Sequence, residues 1–370
     1  MIKKLFVFLC CALCALPATA QTVRVLLAEN LKNASVQNSG LVYIYVLGER
    51  KKYKVSKPNT LSLGFSGGKL QLGELKTNKT LVIEPTKNVT LTFQKNSYTG
   101  KFYVVPSGKT LRLVEYTDME NYLLGVLPYE MSRSWPLEAL KAQAVTARTY
   151  TAMQLKNSKK DFDLYNNVRD QMYKGSGKVY ASVKKAVEGT AHQILTYQGK
   201  PFHTYYHANC GGGTDDAKIW TGAKGPTIKP LTGASCAYDK NSKSYEWSNT
   251  IAQKSINDFI NKNGLAGSVK KIKVAKRTDG KRAATLEFTT SKGKKTLSCA
   301  KFRRLVGSSK LKSCKITDIS QKSDGFYFAG RGYGHGVGMC QDGAKGMAQA
   351  GKNYKQILSH YFPSAKLTEE

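Results

Sequence analysis

Between Gln21 and about Val114, apolar and polar residues alternate in short runs: VRVLLAE, LVYIYVLG, TLSLGF, TLVIEP, VTLTFQ and KFYVVP. A period of two, broken by Gly-, Asn-, Ser- and Lys-rich stretches, predicts short strands arranged as a sandwich or barrel. After Thr117 the period changes. Leu123, Val126 and Leu127 share one helical face, and Thr117 with Glu120 has the spacing of a capping box. Pro128 has no N–H and pushes Leu127 away from the α region, so the helix is expected to stop there. A second helix is expected from Ser134 or Trp135, with Pro136 and Glu138 in its first turn. Leu137, Leu140, Ala144, Ala147 and Thr151 follow at helical spacing. Glu130 then falls in a non-helical elbow beside Tyr129, Met131 and Trp135. A carboxyl group among aromatics is poorly solvated, which raises its pKa toward acid–base duty; the position equally suits a surface glutamate in a loop.

Further on, Val179 to Glu188 reads as a short helix closed by Gly189. HQILTY and PFHTYYHA read as a hairpin that delivers His207 into a glycine-rich loop, HANCGGGTDDAKIWTG. Residues 237–314 look like supporting structure, with helices near Ile256–Asn261 and Phe302–Leu305 and two strands about Thr278–Lys281. Six glycines between Gly330 and Gly343 hold no ordinary helix or strand, so a loop is expected there. Helices are expected from Gln341 to Ala350 and from Tyr354 to Tyr361. The fold class is α+β. A strand-rich accessory domain (residues 21–95) precedes a mixed α+β catalytic domain (residues 96–370) built around the helix–elbow–helix.

Composition changes the picture at the N-terminus. Lys3 and Lys4, an apolar run from Leu5 to Leu16, and Ala18-Thr19-Ala20 have the form of a signal peptide cleaved after Ala20, too short to span a membrane well. Cys10, Cys11 and Cys14 would leave with it, and their context is a poor lipoprotein site. No later stretch reaches the length of a spanning helix, so the expectation is a secreted protein, periplasmic or cell-wall associated. The formal charge is +33, or +31 without Lys3 and Lys4. Such a field attracts polyanions. The lysines are scattered rather than gathered on one helix, which argues against nucleic acid and leaves wall or envelope polymers. Cys210, Cys236, Cys299, Cys314 and Cys340 remain, an odd number. In an exported protein this leaves at least one thiol free, paired between chains, or on a metal.

GVLPYEM (Gly125–Met131), SWPLEALKAQAVTARTY (Ser134–Tyr150), DQMY (Asp170–Tyr173), HANCGGGT (His207–Thr214) and the block from Gly330 to Phe362 closely resemble, in order, the SpoIID/LytB family. The resemblance covers roughly residues 100–364. It implies a peptidoglycan lytic transglycosylase with Glu130 as general acid/base, acting on glycan stripped of its stem peptides, and a cell-wall amidase as partner. The same family includes non-enzymatic amidase enhancers, which is the alternative. One carboxylate suits the lytic reaction, in which the sugar's own 6-hydroxyl closes a 1,6-anhydro ring and no fixed second carboxylate is needed. Lys141, Gln143, Arg148, Gln171, Tyr173, Tyr205, His207, His335 and Gln341 are the candidate substrate-binding residues of these blocks. Arg148 is equally suited to a buried ion pair with Glu138 or Glu120, Tyr173 and Tyr205 to the core, and His335 to anchoring its loop. No cofactor is required. His203, His207, Cys210 and Cys236 carry ligand types for zinc, without a standard spacing. A Cys210–Cys236 disulfide is the simpler expectation, with Cys299 paired to Cys314.

Overall fold

The computed structural model describes residues 21–158, 161–222 and 227–369; the expected signal peptide lies outside them. The architecture is α+β. A seven-stranded sheet runs in the order Leu164–Tyr165, Thr22–Leu31, Thr110–Asp118, Lys101–Ser107, Leu81–Pro85, Val42–Val46, Lys52–Val55. Neighbours are antiparallel except Leu164–Tyr165, which lies parallel to Thr22–Leu31. A six-stranded sheet comprises Asn96–Tyr98, Leu91–Phe93, Asn33–Asn38, Asn59–Ser66, Lys69–Leu72 and Leu75–Thr77. Alternation places Val23, Val25, Phe102, Val104, Leu111 and Leu113 of the first sheet in one core with Val36, Leu61, Leu63 and Phe93 of the second. The first sheet runs across residue 95: strands on both sides of that position hydrogen-bond side by side, and the alternating pattern continues to Asp118 without a linker.

Helix α1 (Met119–Glu130) follows directly from the last long strand. Its cap is Asp118, whose side chain accepts from the Asn121 N–H at 2.9 Å. Thr117 is not the cap, because the helix starts one residue later than the capping-box spacing requires, and Glu120 is bound to Arg148. Nor does α1 stop before Pro128. The proline sits inside its last turn, and the Met131 N–H closes the helix onto the Leu127 carbonyl at 2.9 Å. Glu130 is therefore the last helical residue, and the helix runs about one turn further than the sequence suggests, so Glu130 is not in a non-helical elbow.

Helix α2 (Leu137–Asn157) begins after Pro136 and runs through the main core. Residues 142–149 are all buried. Small side chains permit this close approach, and the buried hydroxyls of Thr146, Thr149 and Thr151 bond back to carbonyls four residues earlier at 2.7, 2.7 and 2.9 Å. Helix α3 (Ala181–Glu188) packs on both α1 and α2.

Residues 246–331 form a second unit with its own core of Ile251, Ile256, Phe259, Leu286, Phe288, Phe302, Phe326 and Phe328. It holds two three-stranded sheets, and the hairpin about Thr278–Lys281 and the helices Gln253–Lys262 and Cys299–Val306 fall where the sequence pattern places them. The chain then returns to the main core through helices Gln341–Gln349 and Tyr354–Tyr361.

Candidate active-site cavity

The glycine-rich segments meet behind α1. Tyr206–His207 pairs in parallel with Met339–Cys340, and bridges join Asn209 to Tyr333 and Asp215 to Val337. The expected hairpin is shorter than its sequence: Gln193–Tyr197 pairs with Lys200–Pro201 on one edge and with Lys366–Glu369 on the other. Glycine is required where the two loops touch. Gly334 has φ +123°, and a Cβ there would lie 2.6 Å from the Cβ of His207. This zipper sets His335 and His207 with ring centroids 5.2 Å apart.

In front of it is a cavity of about 250 Å³, lined by Glu130, Tyr150, Asp170, Tyr205, Tyr206 and His335, with Arg169 and Met172 from the adjoining loop. The Met172 N–H donates to Glu130 Oε1 at 2.7 Å. Burial raises the Glu130 pKa, opposed by that N–H and by the Tyr206 and Gln341 side chains beside it. The buried Tyr206 hydroxyl makes no hydrogen bond of normal geometry, so it stands available to the carboxyl.

Asp170 is fully engaged. It accepts from Tyr150 Oη at 2.8 Å, Gln154 Nε2 at 2.9 Å and the Tyr165 N–H at 2.8 Å, and so fixes the loop that brings Met172 to Glu130. His335 is held by Tyr206 O at 2.9 Å and the Val337 N–H at 3.1 Å. This fixes the tautomer with the proton on Nε2, and burial lowers its pKa to about 3. The ring is a neutral loop anchor at the cavity wall. His207 is buried, with Nδ1 at 3.1 Å from Val337 O and a pKa pushed well down by burial.

The remaining candidates lie elsewhere. Arg148 is 1% exposed and forks onto Glu120 through Nε at 2.9 Å and Nη2 at 2.6 Å, with Gln193 O at 3.1 Å from Nη1; it is a buried structural cation. Lys141 reaches Glu138 at 2.9 Å. Tyr173 lies in the core and donates to Glu115 at 2.7 Å. Gln171 is buried and accepts from Tyr122 and Thr151, both at 3.0 Å. Gln143 lies behind the cavity, 3.4 Å from Gln341. Of the nine polar candidates, Tyr205 and His335 line the cavity and Gln341 touches Glu130. Pattern reading missed Tyr206 and Arg169, which a helical or strand period cannot single out.

The five cysteines of the described residues are free thiols, so neither expected disulfide is present. Cys314 and Cys299 are neighbours that share a hydrogen bond. Cys210 and Cys236 are near each other, but His203 and His207 are not with them. The sulfurs are joined instead by Cys340 and Asp239, positions far apart in sequence.

The chain, with this zippered pair of loops beside the half-buried Glu130, belongs to the SpoIID/LytB family of cell-wall proteins. Residues 107–197 match the family described as Stage II sporulation protein, and residues 228–338 match a domain of unknown function, DUF8618. The chain is 33% identical to stage II sporulation protein D of Bacillus amyloliquefaciens over 69% of its own length and 76% of the relative's. It is 35% identical to an uncharacterised protein of Brachyspira hyodysenteriae over 74% of itself and 72% of that protein. It is also 31% identical to the amidase enhancer of Bacillus subtilis, of which it spans about half, 51%. Its role lies in the remodelling of the cell wall. Among the described residues no helix is long and apolar enough to cross a membrane.

Proposed function

We propose that the protein is an exported lytic transglycosylase that cuts peptidoglycan glycan strands to 1,6-anhydro-muramyl ends, with Glu130 as both acid and base. The observation that carries this is a half-buried carboxyl at a cavity wall, its pKa raised by burial, while the other aspartates of the matching blocks are already occupied. Asp170 is spent on three hydrogen bonds. Asp215 accepts from Thr278 and the Asp216 N–H, and Asp216 from Thr227 and the Lys218 N–H. A hydrolase would need a second free carboxylate to activate water.

In the reaction, protonated Glu130 gives its proton to the glycosidic oxygen as the C1–O bond breaks. The muramyl 6-hydroxyl then attacks the anomeric carbon and returns its proton to the Glu130 carboxylate, which regenerates the acid without consuming water. Met172 N–H holds one oxygen of Glu130 so that the carboxyl keeps one orientation through both transfers. Tyr205 and His335 shape the wall against which a pyranose lies. Glycan stripped of its stem peptides carries a free lactyl carboxylate on each muramyl residue. Arg169, at the cavity and stacked 3.5 Å above the Tyr165 ring, is a cation suited to receive it. An amidase that removes the peptides is the partner this substrate calls for.

The test is cleavage of amidase-treated glycan with mass detection of the ends. Glu130→Gln keeps the shape and the Met172 contact but cannot transfer a proton, so the rate should fall about 100- to 10,000-fold. Wild-type rate in E130Q would remove Glu130 from the mechanism, and reducing ends would require a hydrolytic site instead. The relative named amidase enhancer gives the second reading: a wild type that never cuts but accelerates an amidase would establish it.

A further inference from the structure

Cys210, Cys236, Cys340 and Asp239 come from three separated stretches of chain, yet their four ligand atoms lie within 4.8 Å of one another and all four residues are buried. A tetrahedral zinc with sulfur at about 2.3 Å has ligand–ligand edges of about 3.8 Å, so a small contraction of this cluster would close it. Hydrogen-bond donors already face these ligand atoms. Cys340 Sγ accepts the N–H of Cys210 at 3.2 Å and that of Gly343 at 3.3 Å, the latter from the first turn of helix Gln341–Gln349. Tyr361 Oη lies 3.2 Å from Cys236 Sγ, and the Gly212 N–H reaches Asp239 Oδ2 at 3.0 Å. Such outer contacts are those that orient metal ligands.

A second observation points into the same centre: Asp239 is 1% exposed, and its Oδ1 has no hydrogen-bond partner. A buried carboxylate oxygen left unpaired is costly unless something else occupies it. An odd number of clustered sulfurs also fits a metal better than a disulfide, which would strand one cysteine and the aspartate. Lys315, close enough to feel Cys210 and Asp239, and Arg282, which donates to Cys210 O at 2.5 Å, offset the charge of three thiolates and a carboxylate.

We propose that Cys210, Cys236, Cys340 and Asp239 bind one thiophilic divalent cation of the zinc class in a closed, structural site. Binding releases the three thiol protons and leaves no ligand position for water. Its place gives it a purpose. Cys210 follows the strand bearing Tyr206, and Cys340 precedes Gln341, so the metal staples together the two segments that face Glu130.

The test reads the metal on the purified full-length protein, apart from any activity, so it stands whether or not the glycan reaction is correct. Elemental analysis should give one zinc per chain, and cobalt(II) exchanged into the site should show sulfur-to-metal charge transfer and the intense visible bands of a tetrahedral centre. Cys340→Ser should reduce the metal to near zero, while Cys299→Ser, outside the cluster, should leave it in place. Should C340S fail to fold, chelation of the wild type followed by alkylation still decides: Cys210, Cys236 and Cys340 should react only after the metal is removed. A metal-free protein, cobalt bound without sulfur bands, or a mapped disulfide between any two of these three cysteines would each overturn the proposal.

Discussion

Arg169 and Glu115 show how two single residues near the site are expected to behave. Arg169 is held only by an exposed contact to Asn167 and by stacking on Tyr165, so it can be removed with little cost to the fold. Arg169→Ala should raise KM for peptide-free glycan several-fold with kcat nearly unchanged, and should matter less for strands whose lactyl groups remain amidated. Equal loss on both substrates in steady-state kinetics would remove the carboxylate from Arg169's role. Glu115 lies in the core, taking the Tyr173 hydroxyl at 2.7 Å and the Gly100 N–H at 3.0 Å. Desolvation raises its pKa from 4.5 to about 7, the two hydrogen bonds opposing. The sign follows from linkage: the fold favours the protonated form, so this contribution is complete below pH 4.5 and is lost as the pH rises through about 7. Urea unfolding should show wild-type stability declining over that window by at most about 3 kcal/mol from this group. Glu115→Gln should flatten that slope, and an unchanged slope would place the titration elsewhere.

At the scale of elements, the close join of α1 to its neighbours governs the position of Glu130. A Cβ on Gly125 would come within 2.8 Å of the Gly175 backbone and would overlap the Tyr173 ring. Alanine is the better helix former by about 1 kcal/mol, but backbone cannot move as a flexible side chain can. Gly125→Ala should therefore destabilise by about 1–3 kcal/mol in urea titration, and it should reduce cleavage by shifting the end of α1; a stabilised variant would mean the contact relaxes freely. The helices and strands were largely legible because their periods are local: the helix over Tyr354–Tyr361, α2, and the hairpin about Thr278–Lys281 follow from spacing alone. The end of α1 was not, since a proline in a last turn forfeits a single hydrogen bond, and packing of Val126 and Leu127 in the core outweighs it. Glu130 was legible as a carboxyl near aromatics. Its actual neighbours Met172, Tyr206 and Gln341 come from a loop, a strand and a helix 42 or more residues away, and no local pattern carries that. Cys340 escaped for the same reason, while Arg148 and Tyr173 were drawn toward the site by polarity that the fold uses for buried pairing.

Taken whole, the molecule is a sheet-rich body with a half-buried carboxyl at its cavity, a separately cored insertion, and a large excess of positive charge spread over its surface. Among the described residues few of the lysines are consumed in ion pairs, and the pairs at Lys52, Lys79 and Lys254 are exposed and weak. The remaining field has no single focus, so it suits attraction to an extended polyanionic wall rather than recognition of one anion. Attraction of this kind is screened: the Debye length shrinks from about 10 Å at 0.1 M salt to about 3 Å at 1 M. The Glu130→Gln protein, which on the proposed mechanism binds the wall without cutting it, is the proper probe. Its co-sedimentation with purified sacculi should weaken at least about 10-fold across that range of salt, and stripping acidic polymers from the sacculi should remove most of the salt dependence. Short peptide-free glycan, if it lies against the half-buried Tyr205 and His335 as proposed, should keep most of its affinity, losing only the part that the exposed Arg169 supplies. If salt weakens the two equally, the charge acts inside the cavity and not over the surface, and wall attachment and cleavage are one event.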